Sequence, residues 1–134
     1  MLRRILRYTG AVLLALVLGT VVYEHARAYH PATERAAMLS RGREIYGSIC
    51  HNCHGDHMEG HAVPGTDLVA PPLNKPGFRI FFYLMPHDME GFVAGLVDTG
   101  RGGMPSFGAM IVPQDRRCVA LLIHAVNTGD AELK

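Results

Sequence analysis

The sequence predicts an all-α domain that follows a single N-terminal transmembrane helix. An uncharged, mostly apolar run from 8 to 23 has almost the length of a membrane span. Three later segments place apolar residues on one helical face, and strand-like alternation is weak throughout. We therefore expect 1–27 to form a membrane anchor, or a signal segment, with its flank. Residues 28–134 should form one small domain with its core at 38–128.

The N-terminal segment has the charge pattern of an exported chain. Arg3, Arg4 and Arg7 precede the apolar run, which places the N-terminus in the cytoplasm. Ile5 to Tyr23 is 19 residues, which at ~1.5 Å per residue spans roughly 28 Å, close to the hydrocarbon thickness of a bilayer. The alternative is a cleaved signal, because Ala26-Arg27-Ala28 resembles a small-x-small cleavage site. We favour a retained single-pass anchor in the inner (cytoplasmic) membrane, with the domain in the periplasm.

A short polar linker over 24–32 should lead into three main helices of the domain. The first is expected over about 33–48, with Thr33 as its cap. The second should cover about 88–98 and end at Gly100, and the third should cover about 113–127. The expected inward residues are Ala36, Leu39, Ile45 and Tyr46 in the first helix, Phe92, Val93, Leu96 and Val97 in the second, and Val119, Leu122, Ile123 and Val126 in the third. Gly42 has no side chain and should let another helix approach closely.

The motif that carries chemistry is the pentapeptide Cys50-His51-Asn52-Cys53-His54. Two thiols separated by two residues, with a histidine after the second, form the attachment signature for c-type haem. Cys50 and Cys53 can each form a thioether to a haem vinyl group, and His54 can ligate the iron. A zinc half-site lacks a second ligand pair, since Cys118 is the only other cysteine. A thioredoxin-like pair lacks the surrounding strand–helix–strand pattern.

A low-spin electron-transfer haem also needs a sixth ligand, usually a methionine thioether. Met104 lies fifty residues after His54 on a loop punctuated by glycine and proline, which suits a side chain that reaches back across the haem. The alternatives are Met85 and Met110 as sulfur ligands and His57, His61 and His87 as nitrogen ligands. We favour Met104. Cys118 is expected to be a small buried apolar residue rather than half of an interchain disulfide.

Residues 38–128 resemble a class I cytochrome c, the small single-haem family, in its membrane-anchored bacterial type. The matching positions occur in order: Gly42, Tyr46, Cys50, Cys53, His54 and Gly55, the segment Ala70-Pro71-Pro72-Leu73, and the loop Gly100-Arg101-Gly102-Gly103-Met104-Pro105. The resemblance implies helices and long loops around one covalently bound haem c. It covers about two thirds of the chain.

The resemblance also implies roles for individual residues. The carbonyl of Pro71 should accept the Nδ1–H of His54 and so orient its ring. Leu73 should pack on the porphyrin, and Arg101 is a candidate partner for a haem propionate. His124 stands where the family usually has an aromatic residue, and we expect it to pack between helices rather than to bind iron.

The segment Phe78–Met85 is the most apolar stretch outside the anchor, and it is too short to span a membrane. We interpret it as a short helix or an extended piece that lines the haem pocket. The alternative is an exposed aromatic strip that docks against a membrane partner.

These observations predict an electron-transfer protein rather than an enzyme. The function expected is one-electron transfer in a bacterial respiratory or other membrane chain, as an anchored cytochrome or as a small subunit of a larger complex. Its redox partners should be a dehydrogenase, a quinol-oxidising complex or a terminal oxidase. From residue 28 onward the chain has nine basic and eleven acidic residues, a net charge of −2, and only two of the bases are lysines. A lysine ring for steering onto acidic partners is therefore absent from the sequence, and nucleic-acid binding has no support.

Other functions remain open at the sequence level. The chain could be the haem subunit of a periplasmic dehydrogenase, or a catalytic or ligand-sensing haem protein in which Met104 does not bind iron. It could also be a structural subunit whose haem does not turn over.

Overall fold

The computed structural model describes residues 2–27 and 31–133. Its helices in chain order are α1 (Leu2–Arg27), α2 (Ala32–Ile45), α3 (His51–His54), α4 (Pro76–Leu84), α5 (Pro86–Thr99) and α6 (Pro113–Thr128). A π-helical segment, Tyr46–Cys50, joins α2 to α3. Within the described residues, β-structure is limited to two isolated bridges, Ala62–Val69 and Arg101–Met104. The all-α prediction is confirmed.

Helix α1 contains the apolar segment. Among the described residues, Tyr8–Ala26 is the one helical stretch whose length and composition would allow it to cross a membrane. Most of its described apolar side chains are exposed, including Leu13, Leu16 and Val17. Part of the predicted linker, 28–30, lies outside the described residues, as does Ala28 of the possible cleavage site.

The centre of the domain is the crossing of α2 and α6. Helix α6 is buried along most of its length, with Val119, Leu121 and Leu122 almost fully enclosed. A Cβ at Gly42 would overlap the carbonyl oxygen of Cys118, so the missing side chain is what permits this approach. Cys118 is itself buried, as expected for a small apolar residue.

Three expectations about the helix surfaces are wrong. Thr33 does not cap α2, because the helix already begins at Ala32 behind Pro31, whose fixed φ suits this position. Ala36 is exposed, because the buried side of α2 follows Leu39, Gly42 and Ile45. Phe92 is 47% exposed, because the buried stripe of α5 follows Val93 and Val97, one helical turn apart. The helical backbone also continues beyond Ser48, through the π-helical segment into α3.

Helix α4 confirms the expected short helix and packs through one side. Phe82 is fully buried and stacks on His124, with ring centroids 5.0 Å apart and planes 4° from parallel. The Nδ1 atom of His124 also forms a hydrogen bond with the Glu90 carboxyl group on α5. His124 therefore packs between three helices, as predicted. On the other side of α4, Ile80, Phe81, Tyr83 and Leu84 are exposed.

Candidate functional site

The cysteine–histidine motif lies on one continuous helical run. Cys50 ends the π-helical segment, and Cys53 and His54 follow in α3. Both thiols are free and partly buried. Burial, with a smaller contribution from Cys53, raises the pKa of Cys50 to about 11. Dithiol catalysts instead need a lowered thiol pKa. The pair is therefore poorly suited to thiol–disulfide exchange.

The ring of His54 is oriented by a backbone carbonyl. Its Nδ1 atom lies 3.0 Å from the carbonyl oxygen of Pro71. A carbonyl oxygen only accepts hydrogen bonds, so in the neutral imidazole Nδ1 carries the proton and Nε2 keeps its lone pair. This tautomer is the one in which a histidine binds a metal through Nε2. The structure shows the contact between His54 and Pro71, and its role in orienting an iron ligand stays a prediction.

The loop between α3 and α4 folds back on itself to bring this carbonyl into place. The amide of Gly60 donates to the carbonyl of His54 at 2.8 Å, and the amide of Ala70 donates to the carbonyl of His61 at 2.9 Å. Gly60 has φ +70, and a Cβ there would overlap the backbone of Ala70 and Pro71. The two arms of the loop can therefore touch only because residue 60 is glycine.

A buried network holds the end of this loop against the core. The amide of Leu73 donates to the carbonyl of Met58 at 2.8 Å. Its own carbonyl accepts a hydrogen bond from the side-chain amide of Asn127 at 2.9 Å. Met58 is fully buried with φ +61, an unusual conformation for a residue with a side chain. Leu73 is thereby fixed two residues from Pro71, partly buried at the edge of the core.

Met104 lies on a tight turn after α5. The amide of Met104 donates to the carbonyl of Arg101 at 3.0 Å, and the amide of Arg101 donates back at 3.2 Å. The Met104 side chain is partly buried and packs against the core cluster. The turn is closed against α5 by Ser106, whose hydroxyl donates to the carbonyl of Asp98 at 2.6 Å. The thioether of Met104 is therefore half-buried on a turn that hydrogen bonds hold in place.

The two loops that carry the candidate ligands touch each other. Gly103, directly before Met104, lies so close to Leu68 that a Cβ would overlap the leucine side chain. Leu68 belongs to the same loop as Pro71, which contacts His54. The fold thus brings the loop that orients the histidine next to the loop that presents the methionine.

All five competing ligand candidates are exposed: Met85, Met110, His57, His61 and His87. Met110 is 72% exposed, and the Met85 side chain is also exposed. The Nε2 atom of His61 lies 2.9 Å from the carbonyl oxygen of Asn52, so that nitrogen is already engaged. The Arg101 side chain is exposed on the Met104 turn. No cluster of three or more His, Cys, Asp or Glu side chains able to hold a metal ion occurs among the described residues.

Three residues that shape the site were not identified from the sequence: Met58, Leu68 and Asn127. Nothing in the sequence indicates the left-handed backbone of Met58. Asn127 was predicted only as the end of a helix. An asparagine on an otherwise apolar helix face indicates a buried hydrogen bond, so the sequence does contain a signal for Asn127.

The donor set fits a covalently bound haem. Two thiols and an imidazole with a free Nε2 lie on one helical run. The half-buried thioether of Met104 lies on a turn that contacts Leu68, in the loop that carries Pro71. Leu73, Phe78 and Phe107 add partly buried apolar surface. This combination of soft sulfur and nitrogen ligands with apolar walls is what a c-type haem requires.

Comparison with known proteins agrees with this chemistry. The family described as cytochrome c oxidase, cbb3-type, subunit III matches residues 37–123. The cbb3-type cytochrome c oxidase subunit CcoP of Azospirillum brasilense is 23% identical over 108 residues, which are 81% of this chain and 35% of that protein. The protein of the same description from Azospirillum sp. (strain B510) is 26% identical over 95 residues, 70% of this chain and 30% of that protein.

The chain spans about a third of the length of these curated relatives. No solved structure matches it. The family match nevertheless covers more than half of the chain, including the motif, the Pro71 loop and the Met104 turn. The resemblance to cytochrome c is confirmed, and with it haem c as the kind of cofactor. The chain belongs to the cytochrome c family described as cytochrome c oxidase, cbb3-type, subunit III.

Proposed function

We propose that this chain is a one-electron carrier that holds a single haem c between His54 and Met104. Haem c, when bound, supplies an iron atom that accepts and releases one electron without making or breaking a bond to substrate. The chain's own residues attach the group, fix its axial ligands and limit access of water. The observation that carries the proposal is the contact between His54 Nδ1 and the Pro71 carbonyl, which leaves Nε2 free beside two thiols.

Each site residue has a role in this proposal. Cys50 and Cys53 attach the haem through thioethers, so that the domain retains it despite a modest core. Pro71 holds the His54 ring in one orientation. Leu73 packs on the porphyrin, and Arg101 is free to pair with a propionate.

The proposed setting is a membrane respiratory complex. Both curated relatives are named as subunits of cbb3-type oxidases, which supports electron transfer toward a terminal oxidase. Helix α1 supports anchoring in the inner membrane. The basic residues before the span support a periplasmic position for the haem domain. A dehydrogenase or quinol-oxidising complex is the corresponding class of electron donor.

Replacement of Met104 by alanine tests the ligand set. We expect the ferric protein to lose the weak red absorption band of methionine–iron ligation. Its midpoint potential should fall by on the order of 0.1 V or more, within the roughly 0.8 V range over which axial ligands set haem potentials. Met110→Ala is the matched control, because that methionine is 72% exposed. An unchanged spectrum and potential in Met104→Ala would contradict the assignment and indicate a different axial ligand. Absence of the band from the wild-type protein would instead favour an open-site haem protein.

Three further measurements test the number of haems and the position of the protein in the electron-transport chain. A haem-to-protein ratio of one is expected from pyridine haemochrome absorbance against amino-acid analysis. Purification from native membranes in mild detergent should recover an oxidase, and stopped-flow reduction should be at least as fast as turnover. A haem that is reduced far more slowly than turnover would indicate a structural subunit.

A further inference from the structure

Helix α4 has an exposed apolar face that the domain leaves uncovered. Ile80 is 59% exposed, Phe81 50%, Tyr83 62% and Leu84 43%. The opposite side of the helix is used for packing, since Phe82 is fully buried. A helix of nine residues therefore carries two apolar sides, of which only one contributes to the core. A contiguous face of this kind indicates a surface that is covered in the cell.

The exposed face lies beside the end of the membrane span. The ring of Tyr83 meets the ring of His25 edge-on, with centroids 5.3 Å apart and planes 71° from parallel. His25 is the residue before the last of the apolar span Tyr8–Ala26. Helix α1 also contacts α5, which follows α4 after one residue. The exposed face of α4 is thus at the level where α1 leaves the membrane.

The charges around this face suit a lipid surface. Between Asp67 and Asp88 the sequence contains no acidic residue. Two basic residues, Lys75 and Arg79, stand at the start of α4, and both are exposed. Basic side chains beside exposed aromatic and aliphatic residues are the pattern of helices that lie in the membrane interface. Tyrosine is also enriched at the level of the headgroups.

We propose that α4 is an interfacial helix that inserts Ile80, Phe81, Tyr83 and Leu84 into the headgroup–acyl boundary of the membrane that α1 spans. The inference rests on the membrane anchoring in the proposed function. Lipid is favoured over a protein subunit, because the face adjoins the exposed apolar helix α1 at the point where its candidate span ends. The haem domain is then held in one orientation on the membrane instead of swinging on a linker.

Photolabelling from lipid tests the proposal with the full-length haem-loaded chain. The protein is placed in nanodiscs of phosphatidylcholine and phosphatidylglycerol that contain a lipid with a diazirine near the top of its acyl chain. Trypsin then separates the peptide Ile80–Arg101 from Gly102–Arg116, which carries the exposed apolar residues Met110 and Val112. We expect label at Ile80–Leu84, several-fold above Gly102–Arg116, together with label on Tyr8–Arg27.

Two outcomes overturn the proposal in distinguishable ways. If Tyr8–Arg27 is labelled but Ile80–Arg101 is no richer in label than Gly102–Arg116, anchoring holds and the interfacial helix is wrong. If Tyr8–Arg27 is also unlabelled, the membrane anchoring itself fails. A photocrosslinker at residue 81 that captures a protein in native membranes, with α4 unlabelled in nanodiscs, would assign the face to a protein partner.

A double variant provides a second test. Ile80→Glu with Leu84→Glu places two carboxylates on the exposed face and should reduce label on Ile80–Arg101 to the level of Gly102–Arg116. Label on Tyr8–Arg27 and the haem spectrum should be unchanged, which shows that the anchor and fold persist. Val112→Glu is the control, since it changes an equally exposed apolar residue outside α4. Unchanged α4 labelling in the double variant would contradict insertion of this face.

Discussion

Gly42 determines how closely the two main helices of the domain approach. A Cβ at this position would overlap the carbonyl oxygen of Cys118 and lie 3.1 Å from the Cβ of Leu122. The obstructing oxygen belongs to the backbone in the middle of α6, so it cannot rotate away as a flexible side chain would. Any larger residue must therefore push α2 and α6 apart.

Gly42→Ala should destabilise the protein. Overpacking costs typically about 1–3 kcal/mol, which exceeds the ~1 kcal/mol at most that alanine gains over glycine in a helix. Denaturant unfolding followed by circular dichroism measures the change. Gly95→Ala on α5 is the matched control, because nothing lies within 4 Å of a Cβ added at Gly95. This substitution should be neutral or stabilising. A variant at position 42 that is as stable as wild type would contradict the close crossing.

Asn127 lies on α6, outside the cysteine–histidine motif, and holds the end of the loop that carries Pro71. Its side chain, 5% exposed, donates to the carbonyls of Leu73 and Ile123 at 2.9 and 2.8 Å. Its Oδ1 atom is buried and has no partner among the described residues. The residue thus ties the end of the Pro71 loop to α6 at the cost of one unsatisfied oxygen.

Asn127→Leu should lower the free energy of unfolding by about 1 kcal/mol. This value is the lower end of the ~1–3 kcal/mol cost of an unpaired buried group, because the substitution also removes the unsatisfied Oδ1. The midpoint potential should shift as well, since Leu73 lies two residues from Pro71. Asn74→Ala removes an exposed hydrogen bond to His57 and serves as the control, with changes within about 0.5 kcal/mol. An unchanged potential and stability in Asn127→Leu would refute this coupling.

At the scale of elements, α2 and α6 are also joined by an ion pair at their surface. Arg41 donates to both carboxylate oxygens of Asp115, with Nη2 to Oδ2 at 2.6 Å and Nε to Oδ1 at 3.1 Å. It also contacts Glu44 within its own helix at 3.1 Å. These side-chain hydrogen bonds hold the pKa of the Asp115 carboxyl below its usual value.

The lowered pKa of Asp115 predicts the sign of a pH dependence. Stabilisation by the pair is fully present above the unfolded-state pKa of about 4 and is lost as the pH falls through the lower folded-state value. The melting-temperature difference between wild type and Arg41→Gln should therefore disappear in acid. Arg43→Gln is the control, because Arg43 donates to the carbonyl of Glu132, which does not titrate. A difference for Arg41→Gln that persists at low pH would show that the carboxylate is not its cause.

At the scale of the whole molecule, the charge is small, and under the proposed anchoring the membrane would set the approach to partners. Residues 28–134 have a net charge of −2 and two lysines. Electrostatic steering is screened beyond about 10 Å at 0.1 M salt. A tether instead supplies a high effective concentration that does not depend on salt.

Electron transfer to the native partner should therefore depend weakly on ionic strength. Electrostatic steering raises association rates by at least roughly tenfold. In membranes, the rate of electron transfer should therefore change by less than this factor when salt is raised to physiological values. Stopped-flow absorbance of the haem follows the rate, and reduction by ascorbate gives the control without protein docking. A steep fall of the rate with salt would indicate a charged docking surface that the sequence does not predict.

The sequence was most informative where chemistry depends on spacing along the chain. The cysteine–histidine motif, the Pro71 and Met104 loops and the three main helices are local patterns, and the family comparison supports the cytochrome c domain that they predict. The haem ligands themselves stay predictions. Expectations about Ala36 and Phe92 failed, because apolar character alone does not say which residue of a turn faces inward.

The sequence by itself determined the kind of cofactor, the helical class and the apolar segment, since each follows from residue type and local period. Only the tertiary structure decided that the Pro71 loop touches the Met104 turn through Leu68 and Gly103. It also decided that Asn127 holds Leu73 and that the outer face of α4 adjoins the end of α1. The physical reason is that these contacts join residues far apart in the chain. Their existence depends on how α2, α5 and α6 pack, which no local pattern specifies.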